Sequence, residues 1–453
     1  MPTLDERYLD FRDRTARVFA DFPQLEPMRH VIFKELWVGG RGAAPGEWLR
    51  HLGRRLLRRT RREGPLEKAE VLLLLEGRRD LGRQMLLPLW EACRRRGIRT
   101  QLVAWNATAE LPSDTHHLHG VRPQALPVWV DGAWRRLTAI LPELRVAALR
   151  RAFRVASATV AGQLRVAREV LGRVDPRLVV VKSNNISGGV AFSAQARSAG
   201  RATVLLQHGV PQAFYTPVLE DVMLTWGESS NHILQGLGVP AAKLRAVGSP
   251  RHDAMTPVTG ARPRLCASLR LTDRPTLVFF SNGNDLVRNG CAPAESAAWL
   301  EAAAAAIPQM NFVVRLHPNE DGSLYRDTPH LRVTRDEVDL VTTLSGADIV
   351  ASVCSTAMYE ALLFQKPVWQ FSAPHWPPLE DNWKQGLAER VSSEVDLQTK
   401  LRRWLKAPDS RDRWARLAER VFANRGRAAA TAADYVAELL EKPQDASRLL
   451  VVA

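Results

Sequence analysis

The chain reads as an α/β protein of two Rossmann-like domains with helical extensions at both ends, and three observations predict this. Short apolar runs of β character alternate with amphipathic segments of helical period, the pattern of βαβ units built around parallel sheets. A stretch without clean periodicity, "TPVTGARPRLCASLRLTDRP" (256–275), interrupts the alternation and separates two sets of similar size. At 453 residues the chain is also longer than one hydrophobic core usually sustains.

In order, residues 1–65 read as a polar, basic helical segment with no core of its own. The first α/β set covers 66–255. "AEVLLLLEG" is a buried strand ending at Glu76, "RQMLLPLWEACRRRG" an amphipathic helix and "IRTQLVAW" the next strand. An arginine-rich helical stretch covers roughly 139–173. Then come strand "RLVVVKSNN", helix "GGVAFSAQARSAG" and strand "RATVLLQHG", followed by "DVMLTWG", "ESSNHILQGLG" and "KLRAVGSPRHD". The break at 256–275 reads as an interdomain linker. The second set, 276–393, runs from "TLVFFSNGN" through "NFVVRLHP", "LRVTR" and "ADIVASV" to helix "TAMYEALLFQ" and strand "PVWQF". Residues 394–453 read as C-terminal helices.

Composition narrows the class. Apolar residues make up 45% of the chain, which excludes wholesale disorder. No run approaches the ~20 apolar residues of a membrane span, and "MPTLDERYLDFRDR" lacks the apolar core of a signal peptide, so a cytoplasmic protein is expected. Cys93, Cys266, Cys291 and Cys354 are scattered without a CxxC pair, a spacing that supports neither a zinc site nor a disulfide framework. The net charge of +15 concentrates in "RHLGRRLLRRTRREG" (50–64) and recurs in "AWRRLTAILPELRVAALRRAFRV" (133–155). Aromatic interleaving is sparse and leucines accompany the arginines, which favours an anionic membrane surface over nucleic acid as the partner. Leu52, Leu56 and Leu57 would share one face of the basic N-terminal helix, placing the protein at the inner face of the cell membrane.

Four clusters fall at carboxyl ends of strands, the edge where α/β sheets bind ligands. Gln207-His208-Gly209 ends "VLLQHG", with Gln207 and Gly209 expected to contact substrate, and Gly248-Ser249, expected to contact the nucleotide, ends the last strand of the first set. Arg315 and His317 end "NFVVRLHP": the guanidinium offsets phosphate charge, and the imidazole can donate a proton to a departing phosphate. Ser355 and Thr356 stand at the N-cap of a helix whose free N–H groups and dipole suit phosphate, and Glu360, one turn on, can accept from two ribose hydroxyls. Asn184 and Asn185 end a further strand and are expected to contact substrate. No D-x-D pair is present, so Arg315, His317 and a helix dipole would carry the leaving-group charge without a metal.

The ordered set "LQHG", "WG", "VGSPRHD", "RLHP" and "S-T-x-x-x-E-A-L-x-x-x-K-P-V", spanning about residues 175–372, resembles the two-domain GT-B glycosyltransferases of bacterial surface-polysaccharide synthesis. The nearest groups are capsule ulosonic-acid transferases, bacterial sialyl- and polysialyltransferases, and CDP-glycerol glycerophosphotransferases of teichoic-acid type. The resemblance implies two domains facing a cleft, 66–255 on the acceptor side and 276–393 on the donor side. It implies a CMP- or CDP-activated donor, such as a CMP-ulosonic acid, a glycan or glycolipid acceptor from capsule or lipopolysaccharide, and no further cofactor. His317, Ser355 and Thr356 would contact the cytidylyl phosphate, with Glu360 near the ribose. His208 would act as general base from the acceptor side. The acidic base motif of sialyltransferases has no clear copy here, and Glu76 is the one acidic residue placed to substitute for it. Four other readings share parts of this pattern: a CDP-polyol phosphotransferase of teichoic-acid type, a sugar-nucleotide epimerase, a non-catalytic polysaccharide-export scaffold and, on charge alone, a nucleic-acid binder.

Overall fold

A computed structural model describes residues 3–38, 61–76, 81–106, 110–282, 292–318, 320–376 and 382–442. The basic segment at 50–60, with Leu52, Leu56 and Leu57, lies outside the described residues. The chain forms two compact units, one from residues 5–253 together with 423–453, the other from 1–4 and 254–422.

The N-terminal unit is built on an eight-stranded sheet: β1 (Arg61–Glu63), β2 (Val71–Glu76), β3 (Thr100–Trp105), β4 (His116–His119), β5 (Leu178–Val181), β6 (Ala202–Leu206), β7 (Val222–Thr225) and β8 (Leu244–Ala246). Their order is β1-β4-β3-β2-β5-β6-β7-β8, parallel throughout except for the antiparallel edge strand β1. The continuous apolar character of β2 follows from cover on both faces. Leu73 and Leu75 pack with Leu86 and Leu89 of helix α2 (Leu81–Arg95), while Leu72 and Leu74 meet Val170 and Leu171 on the opposite side. The strand order reverses between β2 and β5, which puts the carboxyl ends of those two strands at a topological switch point.

Residues 3–38 do bury a core, contrary to the sequence expectation. Helix α1 (Leu4–Asp21) and the turns behind it bring Tyr8, Phe11, Phe19, Phe33 and Trp37 to 5% exposure or less, packed with Phe214. Tyr8 donates to the Thr216 carbonyl (2.7 Å), so this segment seats on the loop that follows β6. The aromatics find their partners across 200 residues of sequence, which local periodicity cannot show.

Helices α3 (Trp129–Ile140), α4 (Ala147–Val174), α5 (Ser187–Ser198) and α6 (Glu228–Gly236) complete the central part of this unit.

The stretch 256–275 is not an irregular linker. It contains helix α7 (Ala261–Leu269), with Ala261, Leu265 and Leu269 buried and Arg262 paired to Asp348 at 2.9 Å. Pro263 sits in its first turn, where a missing N–H costs nothing. The C-terminal unit then carries β9 (Thr276–Phe280), α8 (Pro293–Ala306), β10 (Asn311–Arg315), β11 (Leu331–Thr334), α9 (Leu340–Gly346), β12 (Ile349–Ser352), α10 (Thr356–Leu363), β13 (Val368–Phe371) and β14 (Glu389–Val391). Its six parallel strands take the order β11-β10-β9-β12-β13-β14, reversing between β9 and β12. This is the doubly wound arrangement of a dinucleotide-binding sheet. Together the units make the two-domain α/β architecture expected from the sequence.

The C-terminal helices divide between the units. Helices α11 (Glu394–Lys406) and α12 (Arg411–Val421) stay with the second unit, whereas α13 (Ala428–Glu441) returns to the first and buries Ala429, Ala432, Ala433 and Val436 against α2. Asp253 caps α13, accepting from the N–H groups of Ala428 (2.9 Å) and Ala429 (2.8 Å). Gly248, at φ +92°, lies so close to the returning chain that a Cβ would sit 2.3 Å from the Ala423 carbonyl. Among the described residues no helix is long and apolar enough to cross a membrane.

Gly248→Ala therefore combines strain with a backbone clash and should cost about 3 kcal/mol or more, against about 1 kcal/mol for the lost cap in Asp253→Ala. Urea unfolding of the two variants should show Gly248→Ala as the more damaging.

Candidate functional site

In the C-terminal unit Ser355, Thr356 and Glu360 stand at the β9–β12 switch point. Ser355 adopts the extended backbone of an N-cap, and its hydroxyl accepts from the Ala357 N–H (3.3 Å), opening α10 as expected. Glu360 follows one turn later and is 2% exposed. Beside them, Asn282 extends from the end of β9 and donates to the Cys354 carbonyl (2.8 Å), tying the two strand ends together. Ser281 is buried, its hydroxyl donating to Glu320 while accepting from the His317 N–H (3.0 Å). His317 is thus fixed at its backbone, with its half-buried ring at the carboxyl edge of β10.

Arg315 departs from its expected place. Its guanidinium donates to the Val338 carbonyl and the Thr343 hydroxyl (3.2 Å), turning toward the β11–α9 connection. Asp336, Glu337 and Asp339 face it there, although burial lowers its pKa overall. In this arrangement Arg315 braces a loop.

In the N-terminal unit a second polar cluster occupies the β2–β5 switch point. Glu76, at the end of β2, is 3% exposed, and its carboxyl lies against the first turn of α5. A Cβ on Gly188 or Gly189 would come within 2.6 or 2.4 Å of its oxygens, so the two glycines make the room this carboxyl occupies. Burial pushes its pKa up to about 8, offset in part by the Lys182 ammonium and a hydrogen bond from the Gly189 backbone. Lys182, directly after β5, is itself buried and its pKa is lowered by desolvation.

His208 follows β6 in the same unit. Burial and the nearby Lys182 charge lower its pKa to about 4. One ring nitrogen bonds the Lys182 backbone, and Nδ1 lies 3.1 Å from the Tyr215 hydroxyl. That hydroxyl also accepts from the backbone N–H groups of His208 (3.2 Å) and Gly209 (2.9 Å). The lowered pKa leaves the imidazole neutral at physiological pH.

The other expected contacts are mostly turned inward. Gln207 is fully buried, its amide donating to the Gly209 carbonyl (2.8 Å) and accepting from the Trp226 N–H (2.8 Å). It joins β6 to β7. Gly209 is not required sterically, since a Cβ there would meet only the Tyr215 hydroxyl at an ordinary 3.7 Å. Asn184 is buried and donates to the Tyr215 carbonyl (2.5 Å), while Asn185 accepts from the Ser183 hydroxyl (2.6 Å). Gly248 receives the returning C-terminal chain, and the neighbouring Ser249 is buried with it, so this pair sits at the α13 crossing. Among the described residues no group of three His, Cys, Asp or Glu side chains could hold a metal ion.

Ser281, Asn282, Lys182 and Tyr215 are the residues sequence reasoning missed. The first three sit at strand ends and obey the same rule that selected His208 and Ser355. Tyr215 carries no local signal, because its role depends on the fold of the loop after β6.

Solved structures show the same two-domain fold. The chain is similar to the UDP-GlcNAc 2-epimerase of Neisseria meningitidis bound to UDP-GlcNAc, at 14% identity and a TM-score of 0.54, over 82% of this chain and all of that one. It is similar to the UDP-GlcNAc 2-epimerase of Methanocaldococcus jannaschii in complex with UDP-GlcNAc and UDP, at 12% identity and a TM-score of 0.52, over 81% of this chain and 99% of that one. A glycosyltransferase of kitacinnamycin matches at 14% identity and a TM-score of 0.50, over 83% of this chain and all of that one. No family model and no curated protein sequence matches the chain. These likenesses define the class as GT-B in fold.

Two titrations test this electrostatic picture. The neutral His208 ring favours the folded chain above about pH 6.5, and that contribution is lost as pH falls toward about 4. Tyr215→Phe removes a donor to the neutral ring and should raise the His208 pKa by up to about one unit, read by NMR. Glu76 behaves oppositely: its protonated form favours the folded state, so its contribution declines as pH rises from about 4.5 through 8. Glu76→Gln should gain stability relative to wild type across that interval in urea unfolding.

Proposed function

We propose that this chain is a glycosyltransferase that moves a sugar from a nucleotide-activated donor to a glycan or glycolipid acceptor. The observation that carries the reading is the coincidence, in one unit, of a topological switch point, a Ser-capped helix N-terminus and a carboxylate one turn along that helix. The nucleotide would lie at the β9–β12 edge, its phosphate on the first turn of α10 and its ribose near Glu360. His317 is placed to hydrogen-bond the phosphate as the bond to the anomeric carbon breaks, and the nucleotide departs with the bonding electrons. The acceptor oxygen forms the new bond and gives its proton to a base.

For that base the reading keeps His208 and Glu76. His208 is neutral, as a base must be, but an acceptor hydroxyl would have to replace Tyr215 at Nδ1. Glu76 at a pKa of about 8 would act only once deprotonated. The ordered motifs favour a cytidine donor, CMP- or CDP-linked. The structural likeness to enzymes bound to UDP-GlcNAc and UDP favours a second reading, epimerisation of a sugar nucleotide, which needs no acceptor.

A thermal-shift panel of CMP, CDP, UDP, GDP and TDP separates the donors, since a ligand at 100 times its dissociation constant stabilises by about 2.7 kcal/mol. CMP or CDP should give the largest shift, and Glu360→Ala should weaken that binding by about 1.5–3 kcal/mol. An undiminished shift in Glu360→Ala would place the nucleotide elsewhere. Conversion of a UDP-sugar to its epimer without acceptor would decide for the second reading. His208→Ala should abolish transfer while sparing nucleotide binding; near-normal turnover would make His208 structural and leave Glu76 as the base to test.

A further inference from the structure

We propose that the α3–α4 face of the N-terminal unit docks on an anionic lipid bilayer. Large apolar side chains are exposed at few places among the described residues: Leu126, Val128, Val146, Ile186, Leu324 and Val395. Three of these six belong to one helical hairpin. Leu126 and Val128 stand immediately before α3, Val128 fully exposed, and Val146 is the N-cap residue of α4.

The hairpin between them is basic. From 122 to 154 the chain has Arg122, Arg135, Arg136, Arg145, Arg150, Arg151 and Arg154 against Asp131 and Glu143, and Asp21 of α1 adds one more carboxylate, paired with Arg136 at 3.0 Å. Asp131, in the first turn of α3, lies 3.2 Å from both Arg150 and Arg154, which joins the exposed flanks of the two helices. Arg145 donates to the Thr138 carbonyl (3.1 Å), bringing the start of α4 beside the end of α3. Glu143 is drawn off by the Trp37 indole N–H (3.3 Å). The result is a basic strip with apolar side chains at both ends.

That combination selects its partner. Anionic headgroups satisfy the guanidinium groups, while the acyl boundary a few ångströms deeper accepts Leu126, Val128 and Val146. A nucleic acid would meet the charge but leave the aliphatic side chains in water, and this strip offers no row of aromatic rings for bases to stack on.

Sedimentation of the full chain with vesicles tests the assignment independently of catalysis. Vesicles of phosphatidylcholine and phosphatidylglycerol at two to one should bind it at low salt and release it as salt screens the charge. Vesicles of phosphatidylcholine alone should not. Arg150→Ala combined with Arg151→Ala should weaken partition about 25-fold, at about fivefold per arginine. Leu126→Ser combined with Val128→Ser should weaken it about tenfold. Both pairs are on the surface, and circular dichroism checks that they fold. Equal binding to neutral vesicles overturns the proposal, as does wild-type partition by both variants, which would move attachment elsewhere on the chain. Tighter binding to random duplex RNA than to anionic vesicles, lost in the arginine variant, would overturn it in favour of a nucleic-acid face.

Discussion

Parallel strands covered by helices on both faces constrain everything else in this molecule. A strand buried on two sides has little room for polar side chains along its length, so β5 is apolar throughout and β2, β9 and β12 carry a polar residue only at one end (Glu76, Thr276 and Ser352). Polar groups are expelled to the strand ends. At the carboxyl edge they meet helix N-termini, and where the strand order reverses the neighbouring connections leave in opposite directions and open a crevice. Glu76 with Lys182 in one unit, and Asn282 with Ser355 in the other, are the polar side chains so placed.

That constraint explains why much of the fold was legible from the residues. Runs such as Val71–Leu75 and Thr276–Phe280 have one reading at their length and composition, and the alternation around them fixed the class. What escaped was whatever depends on distant partners. The aromatics of α1 gain their core from Phe214, and α7 hides behind Pro263 and a run of arginines, although Ala261, Leu265 and Leu269 already follow its four-residue repeat. The separate fate of α13 could not be read from its own sequence, because a small-residue stripe such as Ala429, Ala432 and Ala433 suits either unit.

The site was legible to the same depth. Strand-end position singled out Glu76, His208, His317 and Ser355 as candidates, but not which way a side chain turns. Gln207 and Arg315 stand at the right edge and spend their polar atoms on the protein itself. The environment also reverses the simple titration of His208 and Glu76. Removal of water holds the imidazole neutral and the carboxylic acid protonated, and the Lys182 charge reinforces the first effect while opposing the second. Such a pair resists charging from either direction.

The return of α13 makes the second unit an insertion within the first. Residues 254–422 are contiguous, while the N-terminal unit is assembled from both ends of the chain. Synthesis runs in the other order. When residue 253 leaves the ribosome, the outer face of α2 still lacks Ala429, Ala432, Ala433 and Val436, and it waits until the C-terminal unit has been made. The part translated first is therefore completed last, and a chain cut short near residue 422 would retain its whole second unit while leaving the first with bare hydrophobic surface.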